Sequence, residues 1–349
     1  MTSAAEPGRS SATSITDPTM PATSLALESD ALVLLLDVSD SRATTRAPGI
    51  PKDIRQLVRD EQLTRTSAGR AAFHSVALVA LWAGSSALGL VAGRWWVWAL
   101  VWVAQLALVR GAYAAMHDAS HGTLFASRTA NRAAALAWSV PLLLNASLWR
   151  AWHLEHHRAT ISDEDPEGVM RASNALGYVV VPSLRSIARF AAFHGQSAAT
   201  LVGRPPAYVR RFGPHLGMRL DALVVLAATV ALLAGSIAAP AVVIPVWLAP
   251  VLGYWLIGAP FFDLPEHDRT ASRGGTLDVS RTVGASAPTR WLLRNGNHHA
   301  AHHLVPSVTS SQLPRLDQAL GPRTVHRSPS YLRHHVRTLA ALLPGRRAA

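Results

Sequence analysis

Three short segments carry histidines at helical spacing. Met116-His-Asp-Ala-Ser-His-Gly122 places His117 and His121 four residues apart. Trp152-His-Leu-Glu-His-His-Arg158 adds His153, His156 and His157, and Asn297-His-His-Ala-Ala-His-His-Leu304 repeats the pattern with His299, His302 and His303. On a helix, positions i, i+3 and i+4 share one face, so each segment aims two or three imidazoles at a common point. In a fourth element, Asp263-Leu-Pro-Glu-His267, Asp263 and His267 stand at i and i+4, with Pro265, a residue that tends to break helices, between them.

Imidazole suits iron, copper, nickel and zinc, whereas magnesium and calcium take oxygen ligands. The chain has no cysteine, which excludes disulfides, iron–sulfur clusters, thiolate-ligated haem and cysteine nucleophiles. A structural zinc takes four ligands and a catalytic zinc three. The nine imidazoles exceed one such site and match two ions of four or five nitrogens each. A two-zinc hydrolase fits the count, but no serine or carboxylate motif for hydrolysis accompanies the histidines. Two irons that bind and reduce oxygen make better use of such a set beside a bilayer. Of the other histidines, His74, His194 and His215 read as single interfacial groups satisfied by water or a carbonyl. His326, His334 and His335 read as solvated residues of an arginine-rich tail.

The elements that must position these rings are apolar. Of 349 residues 49% are hydrophobic and 15% charged, against about a quarter charged in an ordinary soluble domain. This composition excludes a disordered protein and favours a membrane protein with basic flanks. Lys+Arg 33 against Asp+Glu 21 gives a net charge of +12. That balance invites a nucleic-acid reading, but Lys52 is the only lysine, and the arginines avoid the apolar segments and gather on one predicted side of a membrane. No nucleic-acid partner is expected.

Four segments approach the length of about 20 residues that crosses a bilayer. They run over 71–93 and 95–116, separated by Gly93-Arg94, and over 222–239 and 241–262, joined at Pro240. Trp95, Trp96, Trp247 and Trp255 are placed to anchor them at the interface. The weaker stretch 133–149, interrupted by Pro141 and Asn145, reads as a half-buried interfacial or re-entrant segment. Residues 51–64 form an amphipathic pattern that fits a surface-bound helix and an ordinary soluble one equally. Arg46, Lys52, Arg55, Arg59, Arg65 and Arg70 precede the first span, while the first hairpin loop offers only Arg94 and the second no charge. The positive-inside rule therefore puts both termini, and every histidine segment, on the cytoplasmic face of a multi-pass cell-membrane protein. The expected fold is all-α: four transmembrane helices in two hairpins, interfacial helices, and a cytoplasmic helical cap carrying the histidines. Residues 1–45 are expected to be a disordered tail, 46–325 the membrane domain and 326–349 a basic tail.

At these residues the sequence resembles the membrane fatty-acid desaturase family, the histidine-box di-iron proteins. The first box continues as His117-Asp-Ala-Ser-His-Gly-Thr-Leu-Phe125 and reaches Asn131. The second is preceded by Trp149-Arg150 and followed by Thr160 and Asp165-Pro-Glu167. Glu266-His267 and Arg281-Thr-Val283 precede the third, which leads into Leu304-Val-Pro-Ser-Val308 and Leu313-Pro-Arg-Leu316. The likeness covers roughly residues 50 to 320. It departs from the family pattern at His298-His299-Ala-Ala301 and at Thr309, where a proline is common.

The resemblance implies that His117, His121, His153, His156, His157, His299, His302 and His303 bind two irons, with His267 as ninth ligand and His298 as the less family-like competitor. Asp263 stands where some acyl-CoA desaturases have an asparagine that reaches a metal through water. Asp118, Glu155, Asp163 and Asp165 are candidates for orienting the imidazoles, each equally readable as a surface acid. The implied reaction is O2-dependent removal of two hydrogens from neighbouring carbons of an acyl chain threaded into a kinked tunnel. The nearest alternative is a hydroxylase, ketolase or other oxygenase of the same superfamily acting on a lipid, carotenoid or specialised metabolite. A transporter fits less well, since transport sites lie near the bilayer midplane. With no fused haem segment, dinucleotide fingerprint or cysteine, electrons are expected from a separate ferredoxin or cytochrome with its reductase, docking on Arg290, Arg294 and Arg315.

Overall fold

Residues 49–168, 172–211, 216–272 and 274–343 are described by the computed structural model, all within the unit Val38–Ala349. The expected tail 1–45 and His215 lie outside the described residues. The described residues are mostly helical, with one short two-stranded sheet. Ser67 opens α2 (Ala68–Ala92) by accepting from the Arg70 N–H at 3.5 Å, and Gly93 ends it at φ +60°, a conformation that costs a side-chain-bearing residue. α3 (Trp95–Ser120) returns alongside. The hairpin closes tightly because Gly89 has no Cβ: one placed there would lie 2.8 Å from the Trp98 ring. Inside the apolar pair, Gln105 Nε2 donates to Ser86 Oγ at 2.9 Å, which offsets part of the cost of burying the two groups.

The stretch 133–149 divides into the end of α4 (Arg128–Ser139), a buried turn, and the start of α5 (Ala146–Ala159). Asn145 breaks the apolar run because it caps α5, its Oδ1 accepting from the Leu148 N–H at 2.9 Å. The buried carboxylate of Asp221 then fixes the helix start, accepting from Ser147 N at 3.0 Å and Ser147 Oγ at 2.6 Å while pairing with Arg132. Asp221→Asn breaks this buried ion pair and is expected to cost about 3 kcal/mol, read as a lower unfolding midpoint in detergent.

Five helices are long and apolar enough to cross a membrane: α2, α3, α6 (Ala175–Leu201), α7 (Leu216–Ala238) and α8 (Pro240–His267). α6 was not among the expected spans; Arg185 and Arg189 mask its apolar pattern. Large apolar side chains face outward along these helices, among them Phe73, Val103, Leu223 and Ile257, as a lipid solvent requires. Trp95 and Trp96 are exposed at the hairpin tip, whereas Trp255, expected as an interfacial anchor, is buried, and Trp247 Nε1 donates to Pro141 O at 2.8 Å.

α8 contains two π-helical turns, Ile244–Leu248 and Tyr254–Gly258, and runs unbroken through Pro265. The proline leaves Phe261 O without its intrahelical donor, and His335 Nε2 donates to that carbonyl at 2.9 Å. His335 is thus no solvated tail residue. Residues 326–343 form β2 (His326–Ser328), paired parallel to β1 (Arg281–Val283), and α12 (Tyr331–Leu342). His334 is likewise buried, 3.0 Å from Asp268 Oδ2 through Nε2 and 3.0 Å from Ser328 Oγ through Nδ1. His194 faces Phe190 O and Thr229 Oγ1, the satisfied polar group expected, and His74 is buried against Trp291.

Of the two readings of residues 51–64, packing on protein fits: Ile54 of α1 (Lys52–Asp60) and Leu63 are buried against Leu304, Val305, Leu313 and Leu316. Leu304 ends α10 (His299–Leu304), Val305 follows it, and Leu313 and Leu316 belong to α11 (Leu313–Leu320), so α1 braces the third histidine segment.

Candidate metal centre

Nine histidines sit at the ends of α3, α5 and α8 and along α10, and they converge as two groups. His117, His121, His153, His157 and His302 bring one nitrogen each within 4.8 Å of one another; His156, His267, His299 and His303 do the same. Helical periodicity explains the division. His153 and His157 lie one turn apart and face the first group, while His156, turned from both, faces the second. On α10 the roles invert: His299 and His303 face the second group and His302 the first. The groups adjoin, with the His157 and His303 rings stacked at 4.1 Å between centroids.

Ring nitrogens point at one another. His157 Nε2 lies 3.0 Å from His153 Nε2 and 3.1 Å from His302 Nε2, and His299 Nε2 lies 2.9 Å from His267 Nε2. His121 Nε2 and His303 Nε2 are buried without a hydrogen-bond partner. Burial first, and the neighbouring rings second, hold His121, His153, His157 and His299 well below the ordinary imidazole range. The same causes act on His302 and His303. Converging imidazole nitrogens, most of them on rings held neutral and two of them without any partner, form a donor set that fits two transition-metal cations and leaves hard cations unsuited.

The opposite ring nitrogens are held from behind. His156 Nδ1 faces Asp165 at 3.0 Å and Glu167 at 3.3 Å. Burial alone would lower this histidine, but Glu167 and Asp165 outweigh it and raise its pKa. His267 Nδ1 donates to Val279 O at 2.8 Å. His299 Nδ1 lies 3.3 Å from Glu266 Oε2, His303 Nδ1 3.4 Å from Thr160 Oγ1, and His117 Nδ1 3.4 Å from Asp118 Oδ1. Such partners fix which nitrogen carries the proton and where the ring points. Asp165→Asn is expected to lower metal affinity about 10- to 100-fold with the fold intact, measured as metal retained against a graded chelator.

Two of the four candidate orienting acids, Asp118 and Asp165, face imidazoles. Glu155 accepts from Arg158 at 2.6 Å, and Asp163 lies exposed on the turn after α5. Glu167 and Glu266, which periodicity does not mark, also face candidate ligand rings, and their signal in the sequence is the pair of motifs Asp165-Pro-Glu167 and Glu266-His267. His298 belongs to neither group, its Nδ1 lying 3.0 Å from Asp317 Oδ2. Arg294, read as a docking residue, is largely buried and donates to Asp118 Oδ2 at 2.7 Å; Arg315 pairs with Glu61 at 2.6 Å. Arg290 is exposed.

A cavity of about 90 Å³ lies beside both groups, and Asp263 lines it, 3.7 Å from Arg110 Nη2. An apolar cavity of about 380 Å³ faces the opposite side of α3, at Val109 and Ala112. The two share no lining residue. Trp149 donates to the Tyr113 hydroxyl at 3.2 Å and stands edge-on to that ring. Among the described residues, this contact stands between the two cavities.

A family model described as fatty acid desaturase matches residues 94–335, more than half of the chain and inclusive of all nine histidines. No curated protein matches the chain.

Proposed function

Because the chain belongs to the fatty acid desaturase family, we propose that it is a membrane-bound, O2-dependent di-iron oxidoreductase that introduces a C=C bond into an acyl chain. His117, His121, His153, His157 and His302 would hold one iron and His156, His267, His299 and His303 the other. The observation that carries this reading is the convergence of nine imidazoles as five and four. When bound, the two irons supply the oxygen-derived oxidant that removal of hydrogen from an unactivated methylene requires. Two hydrogens, carrying two electrons, would leave the substrate, two more electrons would come from a separate ferredoxin or cytochrome and two protons from solvent, and O2 would leave as two waters.

The protein's own groups prepare this site. Asp165 and Glu266 hold protons at Nδ1 of His156 and His299, directing Nε2 inward. Tyr113, Trp149 and Trp255 wall the cavity and exclude water. Charged lining from Arg110, Asp263, Glu167 and Arg189 favours a second reading, oxygenation of a polar substrate on the same scaffold.

Topology supports one membrane arrangement. His157 and His302 lie 3.1 Å apart and flank α6, α7 and α8 in the chain, so an even number of these helices crosses. α6 carries Arg185 and Arg189, and its large exposed apolar residues gather in its first half, Leu176 to Leu184. It therefore lies along the interface while α2, α3, α7 and α8 cross as two hairpins. The arginines preceding α2 put the imidazoles and both termini in the cytoplasm. The catalytic domain would span 46–325, with 326–343 packed beneath it.

The test is expression in a host of known lipid composition, followed by lipid mass spectrometry and iron analysis. A product lighter by two hydrogens that vanishes with His303→Ala supports desaturation, and one heavier by an oxygen supports the second reading. Purified protein that takes up neither iron nor oxygen under reducing conditions overturns both.

A further inference from the structure

Among the described residues, Arg110 is a buried cation with no hydrogen-bond acceptor. It is 6% exposed, lies two helical turns before His117 on α3, and lines the cavity beside the imidazoles. The nearest carboxylates, Asp263 Oδ1 and Glu266 Oε1, stop at 3.7 and 3.8 Å from Nη2, beyond hydrogen-bond length. Its Nε has no partner at all. Against it lie the Tyr113 and Phe262 rings, at 5.2 and 5.8 Å from the guanidinium carbon. A second unpaired donor, the Nε1–H of buried Trp255, belongs to a residue lining the same cavity. A guanidinium offers five N–H groups in a planar fork shaped for a carboxylate, and interior donors left unpaired are strongly unfavourable.

We propose that Arg110, assisted by Trp255, binds a free carboxylate of the substrate, so that the enzyme oxidises an unesterified carboxylic acid close to its carboxyl end. This rests on the di-iron reading above and names its substrate class. Two carboxylates near Arg110 oppose an incoming anion. With two divalent ions in place, their charge and that of Arg110 and Arg189 would balance Asp118, Asp165, Glu167, Asp263, Glu266 and Asp268 on the lining, so the unpaired donors of Arg110 and Trp255, rather than a net field, would hold the anion. Seven residues of helix separate Arg110 from His117, about 10 Å along the axis. The carbon attacked therefore lies within about 10 Å of the carboxylate, unlike the middle of a long chain whose esterified head stays outside. The tail has an exit: a groove of about 400 Å³ shares Trp152, Glu167, Arg189 and Phe193 with the cavity.

The test uses full-length, iron-loaded protein in lipid nanodiscs and equilibrium binding of radiolabelled decanoate, with methyl decanoate, decanol and decylamine as competitors. Decanoate is expected to bind and to be displaced by unlabelled acid, with the ester and alcohol at least about tenfold weaker. Arg110→Gln is expected to weaken decanoate binding about 10- to 100-fold at unchanged iron content, with partial recovery in Arg110→Lys. Should Arg110→Gln not fold, Trp255→Phe removes only the indole N–H and is expected to weaken decanoate while leaving the ester unaffected. Equal binding of acid and ester, unaltered binding in the variants, or displacement by decylamine overturns the anchor while the iron remains in place. Failure to load iron instead overturns the reading beneath it.

Discussion

His157→Ala is expected to abolish turnover and reduce iron from two ions to about one or fewer per chain, while the neighbouring-box variant His298→Ala leaves iron content unchanged. His157 is the ring on which the two groups lean. Its Nε2 touches His153 and His302, and its face stacks on His303. Alanine removes one donor from the group of five and the packing wall of the group of four. Since the bound metal carries the hard chemistry, loss of either ion takes activity to background. His298 offers a demanding comparison, because it has the same chemistry one position from His299. Its Nδ1 faces Asp317, which also pairs with Arg327 and accepts from Thr282 Oγ1 at 3.1 Å. Iron analysis of the two purified variants decides the matter: equal losses sink the assignment.

Arg294→Glu is expected to empty the five-histidine group and lower stability by about 3–5 kcal/mol, whereas Arg290→Glu leaves iron and unfolding midpoint unchanged. Arg294 Nε donates to Asp118 Oδ2 at 2.7 Å and its Nη2 to Ser310 Oγ at 3.3 Å, while Asp118 Oδ1 faces His117 Nδ1. Reversal of the charge sets two carboxylates together out of water and removes the brace behind a ligand. Arg290 is exposed, its Nη1 donating to Ala285 O, so reversal there acts on docking alone. Iron content and thermal unfolding separate the two, and the salt dependence of reduction by an acidic carrier tests Arg290.

Much of the site was legible because its information is local. Eight of the converging histidines follow from i, i+3 and i+4 spacing, as do the apolar helices that end beside them, while His267 follows only from the family resemblance. Asp118 and Asp165 lie within a turn or a short loop of the rings they face. Arg294 was misread because the sequence marks it as one more arginine near a basic face. Its acceptor lies 176 positions away, beyond any periodicity. His335 was misread for the same reason. Its partner carbonyl is exposed by Pro265 only once α8 continues through the proline and α12 packs against it.

By itself, the sequence determined which residues gather and in what kind of solvent: imidazole spacing and the length of apolar runs are properties of single segments, and helix geometry translates them directly. Only the tertiary structure decided that the rings divide as five and four, and that a lone guanidinium on α3 faces the cavity without an acceptor among the described residues. Those outcomes depend on which distant helices meet, at what rotation, and what each buried polar atom finds opposite it.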